Sequence, residues 1–188
     1  MTRTKTLSDD AVLEHALHII RRSGPERLTF ASLATATGLS GATLVQRFRN
    51  KAELRQRSLL YAWDALDTRS ANLVSRTEKS TKGACKLLVD LSKAYGDTNA
   101  YAQGLLLLRE DMLDPVLRLR GVQWKNFLIN ALDACFTDEP SAPVNVGSIV
   151  ATYWQGTLLW WAFDPSQPID VYVEAAMTEF ISALPMKV

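Results

Sequence analysis

The chain offers few groups arranged for covalent chemistry. His15 and His18 stand three residues apart, a spacing that could place two imidazoles on one helical face as metal ligands. No third ligand lies near them in sequence, so they read as surface residues. Cys85 and Cys135 form no CxxC pair, and their apolar surroundings predict buried thiols in a reducing cytosol. No Ser/His/Asp grouping, phosphate-cradling glycine loop or HExxH sequence is present, so neither an enzyme nor a cofactor is expected. The spacing that does carry chemistry is the run from Phe30 to Phe48, whose residues could present a polar and basic helix face to a polyanion. Residues 1–60 hold ten Lys or Arg against five acids, while the whole chain carries only +1.

Placing such a face demands a particular scaffold. Ser8 with Asp9 and Asp10 starts a first helix, Val12, Leu13, Ala16, Leu17 and Ile20 form its apolar side, and Gly24-Pro25 ends it. Thr29 caps a short second helix. Gly38 supplies the left-handed turn, Leu39 plugs it, and Ser40 caps a third helix with Leu44 and Phe48 inward. Ala34 is small where the two helices cross. This is a helix-turn-helix, and its outer positions Gly41, Ala42, Val45, Gln46 and Arg47 would face the major groove. Asn50 and Glu53 then cap a fourth helix running to about Arg76, and the polar run 77–83 is the expected break.

The stretch from Leu13 to Leu59 resembles the DNA-binding head of the TetR (tetracycline-repressor-like) family. The matching residues are Gly24, Leu28-Thr29, Leu33-Ala34, Gly38-Leu39-Ser40, Thr43-Leu44, Phe48, Lys51 and Glu53-Leu54. The resemblance implies an all-α protein of about nine helices. It would have a helix-turn-helix DNA-binding domain (1–52) and a C-terminal ligand-binding and dimerisation domain (53–188). It further implies a cytoplasmic homodimer on a palindromic operator in double-stranded DNA, most simply a repressor released by a small molecule. Three positions depart from the family pattern. Val45 stands where the family usually has Tyr, Arg47 where His is frequent, and Gly41 where Lys is common. Gln46 is the only amide on the face and can pair with adenine; Arg47 could reach guanine or phosphate. Backbone contacts are expected from Thr29, Ser40, Thr43 and Lys51, and Arg3 and Lys5 could form an arm along a groove.

Five more helices are expected over 81–95, 100–113, 115–136, 144–163 and 169–184. The stretch 144–163 is apolar nearly all round, yet too interrupted by polar residues for a membrane span. Its Ile149, Tyr153, Trp160 and Trp161, with Val173, Met177 and Phe180 of the last helix, would make half of a two-fold interface, with Gly147 and Gly156 allowing close approach. The same residues could instead be plain core. Trp63, Tyr101, Met112, Trp124, Phe127 and Trp154 come from different helices and could enclose an apolar or aromatic ligand, or fill the core. Arg109, Glu110 and Asp111 read as a solvated turn. The rival to a DNA-binding regulator is a helical adaptor, or a small-molecule-binding protein without an operator; neither needs a basic helix-turn-helix.

Overall fold

The computed structural model describes residues 7–185. Arg3 and Lys5 lie outside the described residues. Nine α-helices and no strand occur among them. They are α1 (Asp9–Ser23), α2 (Phe30–Thr37), α3 (Gly41–Phe48), α4 (Lys51–Val74), α5 (Thr81–Ser92), α6 (Thr98–Leu113), α7 (Pro115–Asp133), α8 (Val146–Phe163) and α9 (Ile169–Ala183). Short 3-10 turns follow α1 at Pro25–Arg27 and α5 at Lys93–Tyr95.

Side chains set the helix ends. Ser8 Oγ accepts from the Ala11 N–H and starts α1. Thr29 and Ser32 exchange side-chain bonds with each other's backbone N–H at 3.0 Å, a full capping box for α2. Gly38 sits at φ 73°, where a Cβ is strained, and its N–H closes α2 on the Ala34 carbonyl. Ser40 Oγ accepts from Thr43 N–H at α3. Asn50 Oδ1 accepts from Glu53 N–H at 2.9 Å. Asp114 Oδ1 accepts from the Val116 N–H ahead of Pro115-initiated α7.

The chain packs as two compact units. The first holds residues up to Leu66 together with Gln103–Arg120, so the expected boundary at residue 52 falls inside it. Its core joins Val12, Leu13, Ala16 and Ile20 of α1 to Leu28, Leu33, Leu39, Leu44, Phe48 and Leu54. Each of these is at most 9 % exposed. Truncating a ring such as Phe48 would cost about 3–5 kcal/mol.

The second unit holds Asp67–Ala102 and the chain from Gly121 onward. Its core is built from α5, α7, α8 and α9, with Trp154 and Trp161 buried among Leu88, Leu132, Val173 and Met177. Trp154 Nε1 donates to Ser92 Oγ and Trp124 Nε1 to Ser70 Oγ, both at 2.9 Å, so the indoles sit in the core without stranding a donor. α7 ends at Asp133 and not at Phe136, because the backbone there tightens to three-residue turns (Cys135 N–H to Leu132, Phe136 N–H to Asp133), while Asp133 Oδ1 accepts the Gly147 N–H at 2.7 Å. Among the described residues no helix is long and apolar enough to cross a membrane.

Candidate nucleic-acid interface

In the first unit α3 is the second helix of the helix-turn-helix. Leu44 and Phe48 are fully buried, which fixes the rotation of α3 about its own axis. That rotation leaves Gly41, Ala42, Val45, Gln46 and Arg49 exposed in one stripe. Ser40 and Thr43 stand at its leading edge with their hydroxyl oxygens 2.8 Å apart. Thr29 is exposed at the α2 N-cap, with its hydroxyl already bonded to Ser32. A stripe of this kind offers one amide, one methyl-rich side chain and one guanidinium to a groove.

Arg47 departs from the sequence expectation. Its guanidinium turns back from the stripe, donates to the Leu7 carbonyl at 2.7 Å and pairs with Asp9 at 3.5 Å. Only 23 % of its side chain is exposed. Arg57 completes the cluster. It donates to the Arg47 carbonyl and to Asp9, and it lies 4.7 Å over the Phe48 ring. Arg47 therefore ties the end of α3 to the start of α1.

The cation on the stripe is Arg49, which the sequence reading passed over. It is exposed and takes φ 56°, ψ −61° in a tight γ-turn closed by the Asn50 N–H on the Phe48 carbonyl. The signal for it was its position four residues after Val45, one turn further along the same face. Lys51 stands at the start of α4 as expected, with its ammonium held by the Glu26 carbonyl at 3.1 Å and carboxylate at 3.4 Å.

The remaining expected site residues separate into distinct environments. Ile149, Tyr153 and Trp160 form an exposed stripe on α8, and Tyr153 stacks on Phe180 of α9 at 3.9 Å. Trp161, Val173 and Met177 belong instead to the core of their own chain, since α8 and α9 pack those faces inward. Gly147 is also turned inward, against α7, whereas Gly156 meets nothing within 4 Å.

The six proposed ligand residues are divided between the two units. Trp63 and Met112 fall in the first unit, and Tyr101, Trp124, Phe127 and Trp154 in the second. Trp154 is fully buried and Tyr101 packs edge-on against Trp161, which makes both core residues. Met112 is exposed.

Glu110 and Asp111 are not solvated as expected. Glu110 is buried between Arg55 (3.2 Å) and Arg109 (2.7 Å). Asp111 accepts from Trp63 Nε1, and burial pushes its carboxyl up to about 6. Arg55, Glu110 and Arg109 border a cleft of about 310 Å³ that also takes in Glu26, Gln56 and Leu113. His15 and His18 are exposed on α1, and among the described residues no group of three side chains could hold a metal.

The caps, the Gly38 turn and the buried inner side of α3 define a helix-turn-helix. Residues 12–57 match the model of the bacterial regulatory proteins, tetR family. The nucleoid occlusion factor SlmA of Citrobacter koseri is 30 % identical over 98 residues, 52 % of this chain and 49 % of that protein. The chain thus spans about half the length of the curated relatives it matches. The fold recurs in the TetR-family regulator PfmR of Thermus thermophilus, with TM-score 0.66, 18 % identity and 91 % and 97 % of the two chains covered. It recurs too in AibR, solved with isovaleryl coenzyme A and operator DNA. There the TM-score is 0.68, the identity 17 %, and 90 % and 95 % of the chains are covered.

Proposed function

We propose that the protein is a homodimeric, cytoplasmic repressor that binds a palindromic operator through α3 and is released by a small molecule. The observation that carries this reading is the α3 stripe, exposed over its whole length on a helix whose opposite side is locked into the core. In this reading residues 1–52 are the DNA-binding domain and 53–188 serve ligand binding and dimerisation. Gln46 reads one base, Val45 meets a thymine methyl, and Arg49, Lys51, Ser40, Thr43 and Thr29 hold phosphates. The exposed apolar stripe Ile149, Tyr153 and Trp160, with Phe180, supports a two-fold partner across α8 and α9. AibR, solved with a coenzyme A thioester and operator DNA, supports a ligand-responsive mode for this fold.

The test is footprinting on genomic fragments across a salt series. A protected palindrome, with affinity falling steeply as salt rises, is expected because Lys and Arg contacts release counterions. Gln46→Ala should relax preference at one base position and leave the others unchanged. No preference over random duplex at moderate salt would end the repressor reading.

A further inference from the structure

The first unit carries an apolar surface that the DNA-binding reading does not use. Leu106, Leu108, Met112 and Leu113 of α6 and Val116 and Leu119 of α7 are each between 41 and 63 % exposed. Scattered apolar side chains need no explanation, but six within fourteen residues of two consecutive helices concentrate exposed apolar surface in the way a binding surface does. The charges around it are segregated. Arg118 donates to the Met112 carbonyl at 3.0 Å, which anchors an exposed guanidinium beside these side chains. Arg109 lies on α6 with its side chain 68 % exposed. The nearby acids are each engaged, Glu26 by Lys51 and Arg55 and Asp64 by Arg120. Glu110 is buried under Arg55 and Arg109, Asp111 is held by the Trp63 indole, and Asp114 is engaged by Gln56 and the start of α7. The surface therefore offers aliphatic side chains and positive charge together.

From this we infer that the α6–α7 face is a docking surface for an acidic, amphipathic peptide segment of another protein. Complementarity selects that occupant. A second copy seated face to face by a two-fold axis would set one face carrying Arg109 and Arg118 against another of the same charge, which opposes association. An anionic bilayer would call for a denser basic cluster and aromatic anchors, and this patch has two arginines and no aromatic ring. Leucines and a methionine, adaptable in shape, suit a partner helix that inserts apolar residues at i, i+3, i+4 and i+7.

The experiment is selection from a random peptide-display library on the immobilised full chain, followed by affinity measurement on the enriched synthetic peptides. Peptides combining Leu, Ile or Phe with Asp or Glu are expected. Their binding should weaken with salt and fall at least about tenfold with Leu119→Glu and with Arg118→Glu. Both positions are exposed, and matching thermal melts will show that the variants keep the fold. Four results would each overturn the inference. These are no enriched peptide, enriched peptides that are basic or uncharged, binding indifferent to both variants, and enrichment confined to sites elsewhere on the chain. Binding to phosphatidylserine vesicles that Leu119→Glu abolishes would reassign the surface to lipid. Self-association abolished by the same change would reassign it to a second copy.

Discussion

Replacing Arg47 by alanine removes the hydrogen bond to the Leu7 carbonyl and the ion pair with Asp9, and leaves the exposed stripe of α3 intact. The pair is partly solvated, so it contributes about 0.2–1 kcal/mol. The charge-assisted bond to the carbonyl adds about 1 kcal/mol, giving a loss of about 1–2 kcal/mol in stability. In an Asp9→Ala background the loss should shrink, because the ion-pair part is already gone. The effect on DNA binding separates two roles. A phosphate-contacting arginine contributes about 0.9 to the slope of log affinity against log salt, or about 3.5-fold in affinity for each fourfold rise in salt. Arg47 turned onto α1 contributes nothing to that slope. Arg47→Ala should therefore weaken operator binding modestly at every salt concentration and leave the slope of the parent protein. Fluorescence anisotropy between about 50 and 200 mM salt on one duplex is sufficient. A slope reduced by about 0.9 would refute the reasoning and return Arg47 to the phosphate backbone.

Arg49→Gly should do the opposite. It relieves a left-handed γ-turn and raises stability by about 1 kcal/mol in denaturant melts, yet lowers operator affinity and its salt slope by about 0.9. An unchanged slope would remove Arg49 from the interface. Gly147→Ala should destabilise the second unit by about 3 kcal/mol. A Cβ there would strike the Ile129 carbonyl and lie 2.8 Å from the Asp133 nitrogen, forcing α7 and α8 apart; a melt like the parent's would contradict that packing. Asp111 has a carboxyl raised from 3.8 to about 6, so its contribution to stability is complete below pH 3.8 and is lost as pH rises through about 6. Asp111→Asn, which keeps an oxygen for the Trp63 indole, should flatten that decline between about pH 4 and 6. Parallel stability curves for parent and variant would show that ionised Asp111 is not penalised.

How far the sequence could be read depended on whether a position's environment was local. Ser8, Thr29, Gly38 and Ser40 cap or turn helices within a few residues of themselves, and all four sit where their types predicted. Leu44 and Phe48 declared the inner side of α3 through their spacing of four. Arg47 lies between the inner and outer sides of that helix, where a long side chain can swing either way. Its partner, the Leu7 carbonyl, is forty residues distant. Glu110 looked solvated beside Arg109 and Asp111 because Arg55, which buries it, is fifty-five residues away in sequence. In α8 the limit was phase. Trp160 and Trp161 are equivalent in a pattern apolar on every side, and only packing against α9 makes one exposed and the other core.

These corrections alter what operator selectivity would rest on. With Arg47 withdrawn, the stripe holds a single amide at Gln46 and a single guanidinium at Arg49, beside Gly41, Ala42 and Val45. One bidentate amide contact discriminates by about 1–3 kcal/mol, which is too little to separate an operator from random duplex by the usual span of about 4–10 kcal/mol. In the proposed dimer the rest would come from two heads held at one spacing and from the cost of deforming the DNA between them. Selectivity should then respond sharply to the spacer joining the half-sites. Adding or removing one base pair there should cost more affinity than changing the adenine opposite Gln46. Anisotropy on a spacer series beside a base-substitution series decides this. If the base substitution costs more, recognition is direct readout through Gln46, and the bareness of the rest of the stripe is immaterial.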